Sequence, residues 1–253
     1  DWVNNTPGIG LAANGTGNIA GFSATNTGAT PVIATITVTP TANGCVGLSE
    51  SFTITVNPTP TVDPILDQTV CNGIATTNVA FTGAVGGITY DWTNTNGAIG
   101  LATNGAGNIG PFLGTNTGSS PISGDITVTP TVNGCVGSSE TFTITVNPSP
   151  IVDPVADQTV CNGTGTAAVN FTSATPGATF DWANNTTSIG LAANGTGNIA
   201  GFTGANTGTT SVTATITVTP TANGCLGTPL GFTITVDPTP TVNAVADQTI
   251  CSG

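Results

Sequence analysis

The sequence contains no lysine, no arginine and no histidine, so the 12 aspartates and glutamates among its 253 residues stand unopposed and the formal charge is −12. Nucleic-acid affinity rests on Lys and Arg displacing counterions from phosphates, and anchoring to acidic lipid needs the same cations, so neither partner is expected. The absence of His and Lys removes the commonest general base, the commonest transition-metal ligand and the Schiff-base amine. No enzyme activity is therefore expected. Methionine is absent, tyrosine occurs once, and charged residues make up 5% of the chain against roughly 25% in soluble proteins. Solubility must rest on Thr, Asn, Ser and mutual repulsion of like charges. The chain also offers no trypsin-type cleavage site, a property that suits a protease-rich exterior.

What is present favours strands. Hydrophobic residues reach 38%, and 35 Gly and 17 Pro alternate with Thr- and Asn-rich stretches, a composition of short strands joined by tight turns. Repetition organises them. Trp2, Trp92 and Trp182 are spaced by 90 residues, as are Cys45, Cys135 and Cys225, and Cys71, Cys161 and Cys251. Residues 1–73 and 181–253 are identical at 52 of 73 positions. The joints are Asn57-Pro58-Thr59-Pro60, Asn147-Pro148-Ser149-Pro150 and Asp237-Pro238-Thr239-Pro240, where proline's fixed φ and missing N–H suit a stiff, extended linker. Cutting there gives the later part of a repeat over 1–58, complete repeats over 59–148 and 149–238, and the start of a further repeat over 239–253. A further 17 residues would make 270, three full periods, which predicts a window on a longer array or a processed piece of one.

Within a repeat the apolar residues alternate, at 88, 90 and 92 in Ile88-Thr89-Tyr90-Asp91-Trp92 and at 142, 144 and 146 in Phe142-Thr143-Ile144-Thr145-Val146, the period of half-buried strands. Ile126–Thr129 and Val79–Phe81 read the same way, and shorter strands are expected near Ile99–Leu101 and Ile109–Leu113. Asn-Gly pairs at 104–105 and 133–134, like those at 14–15 and 43–44, are turn signals. About seven short strands per repeat around one core Trp (Trp2, Trp92 or Trp182) predict tandem immunoglobulin-like β-sandwiches. No segment reads as an amphipathic helix.

The run Thr213-Ala-Thr-Ile-Thr-Val-Thr-Pro220, Asn223-Gly224-Cys225, Phe232-Thr-Ile-Thr-Val236, the Pro-Thr-Pro joint and Ala156-Asp-Gln-Thr-Val-Cys-Asn-Gly163 together resemble the PKD-like, immunoglobulin-like repeats of long cell-surface and secreted proteins of Bacteroidetes, adhesins among them. The resemblance spans the whole chain. It implies an extracellular or cell-surface array serving as stalk, fibre or adhesin, with neighbouring repeats, copies of the chain itself or surface glycans as partners. The total lack of Lys and Arg departs from an ordinary surface module.

Six cysteines on an extracellular repeat suggest disulfides, and without His or a C-x-x-C pair they do not suggest zinc. If Cys71 lies after the first strand and Cys135 before the last, a sandwich holds them about 20 Å apart, well beyond the Cα separation of about 4.4–6.8 Å in a bridge. Cys71 would then reach Cys225 and staple adjacent repeats. A Cys71–Cys135 bridge within a repeat, a Cys45–Cys71 bridge across the linker, and free thiols, including Cys161 and Cys251, are the alternatives.

Asp63 and Asp67, echoed by Asp153 and Asp157, are either solvated turn residues or hard oxygen ligands for calcium at a joint, although Asn243 replaces the first of them in the third copy. Otherwise no cofactor is expected. Glycosidase chemistry is not expected from a pair duplicated along an array. Tyr90 and Trp92 alternate with Asp91, which places them in the core rather than on a sugar-stacking surface. Asn-x-Ser/Thr sequons fall at Asn4, Asn14, Asn162, Asn170, Asn184, Asn185 and Asn194. Two other functional readings stand beside the stalk: a subunit of a filament joined by strand complementation between copies, motivated by the partial repeats at either end, and glycan-binding or spacer modules of a secreted enzyme.

Overall fold

The computed structural model describes residues 1–253 and divides into two compact units, one of 1–115 with 122–146 and one of 116–121 with 147–253. The first unit carries β1 (Trp2–Asn4), β2 (Asn14–Gly15), β3 (Val32–Val38), β4 (Thr41–Ala42), β5 (Cys45–Val46), β6 (Glu50–Val56), β7 (Gln68–Cys71), β8 (Thr89–Asn94), β9 (Asn104–Ala106), β10 (Ile122–Val132), β11 (Cys135–Val136) and β12 (Glu140–Asn147). The second carries β13 (Gln158–Cys161), β14 (Thr179–Asn184), β15 (Asn194–Thr196), β16 (Val212–Ala222), β17 (Cys225–Leu226) and β18 (Leu230–Asp237).

Each complete repeat builds one sheet of the same order, β7-β12-β10-β8-β9 in the first unit and β13-β18-β16-β14-β15 in the second. β13 runs parallel to β18, with Gln158 opposite Ile234 and Cys161 opposite Asp237, while β8, β10 and β12, like β14, β16 and β18, pair antiparallel. The facing layer is thin. It is held by single bridges, Val79 with Ile109 and Ala75 with Leu113 in one repeat, Val169 with Ile199 and Gly165 with Thr203 in the other. The chain is thus all-β and sandwich-like in tandem, as the alternation predicts.

The alternation has a visible cause. Along β16 and β18 the residues Ile216, Val218, Phe232 and Ile234 turn inward and are buried, while the threonines between them turn outward and pair by hydroxyl, Thr213 with Thr235 at 2.9 Å. Thr127 with Thr141 and Thr37 with Ser51 repeat that pairing in the other sheets. Burying such large aliphatic side chains contributes about 1.5–3 kcal/mol each.

Several local expectations are corrected. Ile99 lies not on a strand but in a 3-10 turn, Gly97–Ile99, because the Asn96 side chain caps the Ala98 N–H at 3.0 Å. The Val79–Phe81 segment contributes one bridge rather than a strand, since Phe81 N–H is taken by the Asn108 side chain at 2.9 Å. Asn133-Gly134 does turn, with φ of 49° and 79°. Asn104-Gly105 does not: it forms β9, and Gly105 pairs with Trp92. A Cβ at Gly105 would fall inside the Trp92 indole, and Gly15 and Gly195 bear the same relation to Trp2 and Trp182. The glycine is there so that the ring can lie across the neighbouring strand.

β10 also runs through Pro130, where the sequence pattern ends the strand at Thr129. β12 pairs with β10 only as far as Val128, and the Pro130 carbonyl accepts the Gly137 N–H at 3.0 Å on that side. The proline nitrogen therefore faces a side where the β12 ladder has already stopped, which makes this an edge position.

Candidate functional site at the repeat joint

The Asn-Pro-x-Pro joint is built twice with the same geometry. In the first unit the Asn57 side-chain amide donates to the Asn133 carbonyl at 3.4 Å, and in the second Asn147 donates to the Asn223 carbonyl at 3.1 Å. Both acceptors sit in the left-handed turn of the Asn-Gly hairpin. The linker carbonyls Pro60 O and Pro150 O lie directly over Gly137 and Gly227, leaving no room for a Cβ. Downstream, Ile151 bridges Thr228 in parallel. The joint is seated on the hairpin by side-chain, backbone and steric contacts together.

The carboxylates beyond the linker then lock the first strand of the repeat. Asp67 Oδ1 accepts the Thr143 N–H at 2.7 Å and Asp157 Oδ1 accepts that of Thr233 at 2.6 Å. Asp63 and Asp153 do different work, each accepting a hydroxyl, from Thr82 and from Thr172, at 2.6 Å. The structure gathers no group of three or more His, Cys, Asp or Glu side chains. Asp63 also bears on Tyr90, whose phenol is held above its ordinary pKa first by burial and then by this neighbouring negative charge.

Sequence reasoning missed Gln68 and Gln158. Each clasps the next segment with both ends of its amide: Gln158 accepts the Ala167 N–H at 2.9 Å and donates to the Ala167 carbonyl at 3.2 Å, and Gln68 does the same with Thr77. The signal was the unchanged Asp-Gln-Thr in every copy. Asn116 and Asn206 were missed as well. Asn206 is buried, donates to Val236 and Thr210 carbonyls at 2.7 and 2.9 Å and accepts the Gly208 N–H at 2.9 Å.

The Trp2, Trp92 and Trp182 rings are buried, and their indole N–H groups have no hydrogen-bond partner. Tyr90 packs against that core with its ring 5.6 Å from Phe81, not on an open platform. Cys71 and Cys225 are disulfide-bonded, while Cys45, Cys135, Cys161 and Cys251 are free thiols. Neither Cys135 nor Cys45 is thus the partner of Cys71. Among the sequons, Asn4 and Asn184 are buried and their amides donate to Leu11 and Leu191 carbonyls, so those two cannot accept a glycan in the folded state. Asn14, Asn170, Asn185 and Asn194 are exposed, and Asn162 is half-buried with its carbonyl accepting the Asn206 N–H at 2.9 Å. No helix is long and apolar enough to cross a membrane.

Residues 158–240 match the PKD-like domain family. No curated protein sequence matches the chain. Among solved structures, the chain is similar to the insect immune protein hemolin at 11% identity and a TM-score of 0.36, over 83% of this chain and 56% of that one. It is also similar to mouse cadherin-23 EC22-24 at 10% identity and a TM-score of 0.35, over 82% and 74%, and to human mucin-like protocadherin EC1-2 at 9% and 0.36, over 72% and 98%.

Proposed function

We propose that this chain is an extracellular, non-catalytic structural array, part of a stalk, fibre or surface adhesin whose task is reach and resistance to load. The observation that carries the reading is the joint. Its amide-to-hairpin contact recurs at the same 76-residue offset, Asn57 to Asn133 and Asn147 to Asn223, so the connection between repeats is specified by sequence rather than left to a flexible linker. A glycine under each linker carbonyl supports the same conclusion. Repeat proteins of this kind take their stability from each unit and its nearest neighbour, and the lack of Lys and Arg removes side-chain salt bridges as a source of cohesion. We assign the Cys71–Cys225 pair as the staple between successive repeats, limiting the conformational freedom of the chain between them.

Single-molecule pulling of the 253-residue chain tests both parts. In the reduced chain, repeats that bear load release contour in separate steps of roughly 300 Å, 90 residues at about 3.4 Å each. Reduction should lengthen the extensible chain by roughly 500 Å, the 154 residue steps from Cys71 to Cys225 at the same rise. Extension without force peaks would overturn the load-bearing role, and unchanged contour on reduction would overturn the staple.

A further inference from the structure

One edge of each sheet is made by the same segment of the three repeats, β2, β9 and β15, and each of these strands pairs on one side only, with β1, β8 and β14. In the third repeat Thr196 lies opposite Asp181, Gly195 opposite Trp182 and Asn194 opposite Ala183. The Asn184 N–H donates to the Ala193 carbonyl and the Gly197 N–H to the Phe180 carbonyl, both at 2.8 Å. Hydrogen-bonded and non-hydrogen-bonded pairs alternate along an antiparallel ladder, so Asn194 and Thr196 turn their main-chain groups away from β14, toward the open edge. Such an edge is a template for another chain, and lysine is a common device for blunting it. This sequence has no lysine.

The side chains on that edge form a motif. Gly195 is dictated by the core, because a Cβ there would fall on Trp182 Cζ2. Its neighbours Asn194 and Thr196 project from the other face of the strand, and both are exposed. Asn194-Gly195-Thr196 is an acceptor triplet for Asn-linked sugar, and neither its amide nor its hydroxyl is engaged within the chain. Asn14-Gly15-Thr16 reproduces each part, with Gly15 under the Trp2 ring and Asn14 and Thr16 exposed. In the second repeat Ala106 stands where the hydroxyl would be.

The other sequons are occupied by the fold. Asn4 and Asn184 are buried with their amides on backbone carbonyls. Asn185 Oδ1 accepts the Thr215 N–H and the Thr186 hydroxyl, both at 2.8 Å. Asn162 donates to the Thr239 hydroxyl at 3.1 Å and accepts the Asn206 N–H at 2.9 Å. Asn170 is exposed, but the Thr172 hydroxyl of its triplet is donated to Asp153 at 2.6 Å and Phe171 between them is buried. Only the edge-strand triplets leave amide and hydroxyl free together.

We propose that Asn194 and Asn14 are acceptors for an Asn-linked oligosaccharide that shields the open edge of their sheets. The donor is an oligosaccharide carried on a polyprenyl diphosphate. Nδ2 of the asparagine bonds to C1 of the first sugar, the bond from C1 to the diphosphate oxygen breaks, and the polyprenyl diphosphate leaves with the electron pair while the amide gives up one proton. The attached sugar is bulky and hydrated, and it stands beside the outward main-chain groups of Asn194 and Thr196, where another strand would otherwise pair. Transfer of this kind takes place outside the cytosol, so the use of the site rests on the extracellular part of the reading above and not on load bearing.

Incubating the folded, unmodified 253-residue chain with a purified single-subunit oligosaccharyltransferase that accepts Asn-x-Ser/Thr, and with its lipid-linked donor, tests the geometry. Intact mass and chymotryptic glycopeptide mapping should show two added sugar chains, at Asn14 and Asn194. Asn194→Gln should lose one of them. Ala106→Thr, a change at an exposed position, should gain a third at Asn104, and circular dichroism checks that both variants fold. No transfer to Asn194 overturns the proposal. So does equal transfer to Asn162, Asn170 or Asn185, and so does an Ala106→Thr chain that gains nothing, since edge geometry would then not select the site. Mapping of the chain from its native source should find sugar on the same two residues. A native chain bare at both, with transfer in vitro intact, overturns the modification at the extracellular step and leaves the acceptor geometry standing.

Discussion

The first and third repeats use nearly one sequence and arrive at different degrees of burial. Phe52-Thr-Ile-Thr-Val56 and Phe232-Thr-Ile-Thr-Val236 are identical, and their strands pair with β3 and β16 in the same register. Yet Val218 is fully buried while Val38 is 37% exposed, and Phe232 is covered while Phe52 is not. The sheet therefore does not make its own core. It is made by the segments laid over it, of which Val152, Val169 and Phe171 are present in the third repeat. Truncating the phenylalanines breaks the comparison most sharply. Phe232→Ala should cost about 3–5 kcal/mol, the usual range for a buried aromatic, and Phe52→Ala less than half of that. Hydrogen exchange of the β18 and β6 amides reads the two repeats separately in one molecule; equal losses would mean that the first repeat is as fully packed as the third.

Smaller differences attach to polar groups. Asn206→Ala should destabilise the third repeat by about 1–3 kcal/mol, because it leaves the buried Val236 carbonyl without its donor. Asn26 makes the same bonds to Val56 and Thr30 carbonyls at 2.8 and 2.9 Å, but in a half-exposed setting where water can replace the amide. Asn26→Ala should therefore shift the midpoint of local unfolding by less than half as much, measured by exchange at β6 and β18. The hairpin glycines give a third contrast. Gly227→Ala forces the Pro150 carbonyl off its seat and should cost about 1–3 kcal/mol, the price of overpacking, whereas Gly47→Ala meets only the far edge of the Pro40 ring. Cleavage by a non-tryptic protease after partial denaturation would show it, with Pro148–Pro150 opened in the first variant and no change in the second.

Much of this was legible beforehand, and for a physical reason. Alternation in Phe142–Val146 and Ile126–Thr129 is set by the pleat itself, so period-2 reading places those strands and their buried faces. The identical spacing of Trp, Cys and the prolines gives the 90-residue period. What escaped depended on partners distant in sequence. Asn104-Gly105 reads as a turn because both residues tolerate one, and only the Trp92 ring lying over Gly105 explains the strand. Asp67 reads as a metal ligand or a solvated acid because its true partner, the Thr143 N–H, is 76 residues away. Gln68 and Asn206 carry no chemical signature beyond their recurrence from copy to copy, since an amide that satisfies backbone groups looks like any surface amide until those groups are known to be buried.

The second and third repeats differ in one more pair, and it gives the smallest effect. Tyr90 occupies the place of Phe180, and its phenol lies above its ordinary pKa of about 10 through burial first and the Asp63 carboxylate second. A raised value in the folded state means that folding keeps the proton on. Below about pH 10 both folded and unfolded chains hold a neutral phenol, and the contribution is complete. As the pH rises past that point the unfolded chain ionises first, so stability is lost until the folded phenol also titrates. The second repeat should accordingly loosen in this alkaline window while the third, with a phenylalanine there, does not. Tyr90→Phe should abolish the difference. The parent-minus-variant difference in alkaline unfolding, followed at Trp92 with Trp2 and Trp182 replaced by Phe, isolates the phenol. If that difference stays flat from pH 9 to 12, neither the burial of the Tyr90 phenol nor the nearby Asp63 charge contributes to the pH dependence of the fold.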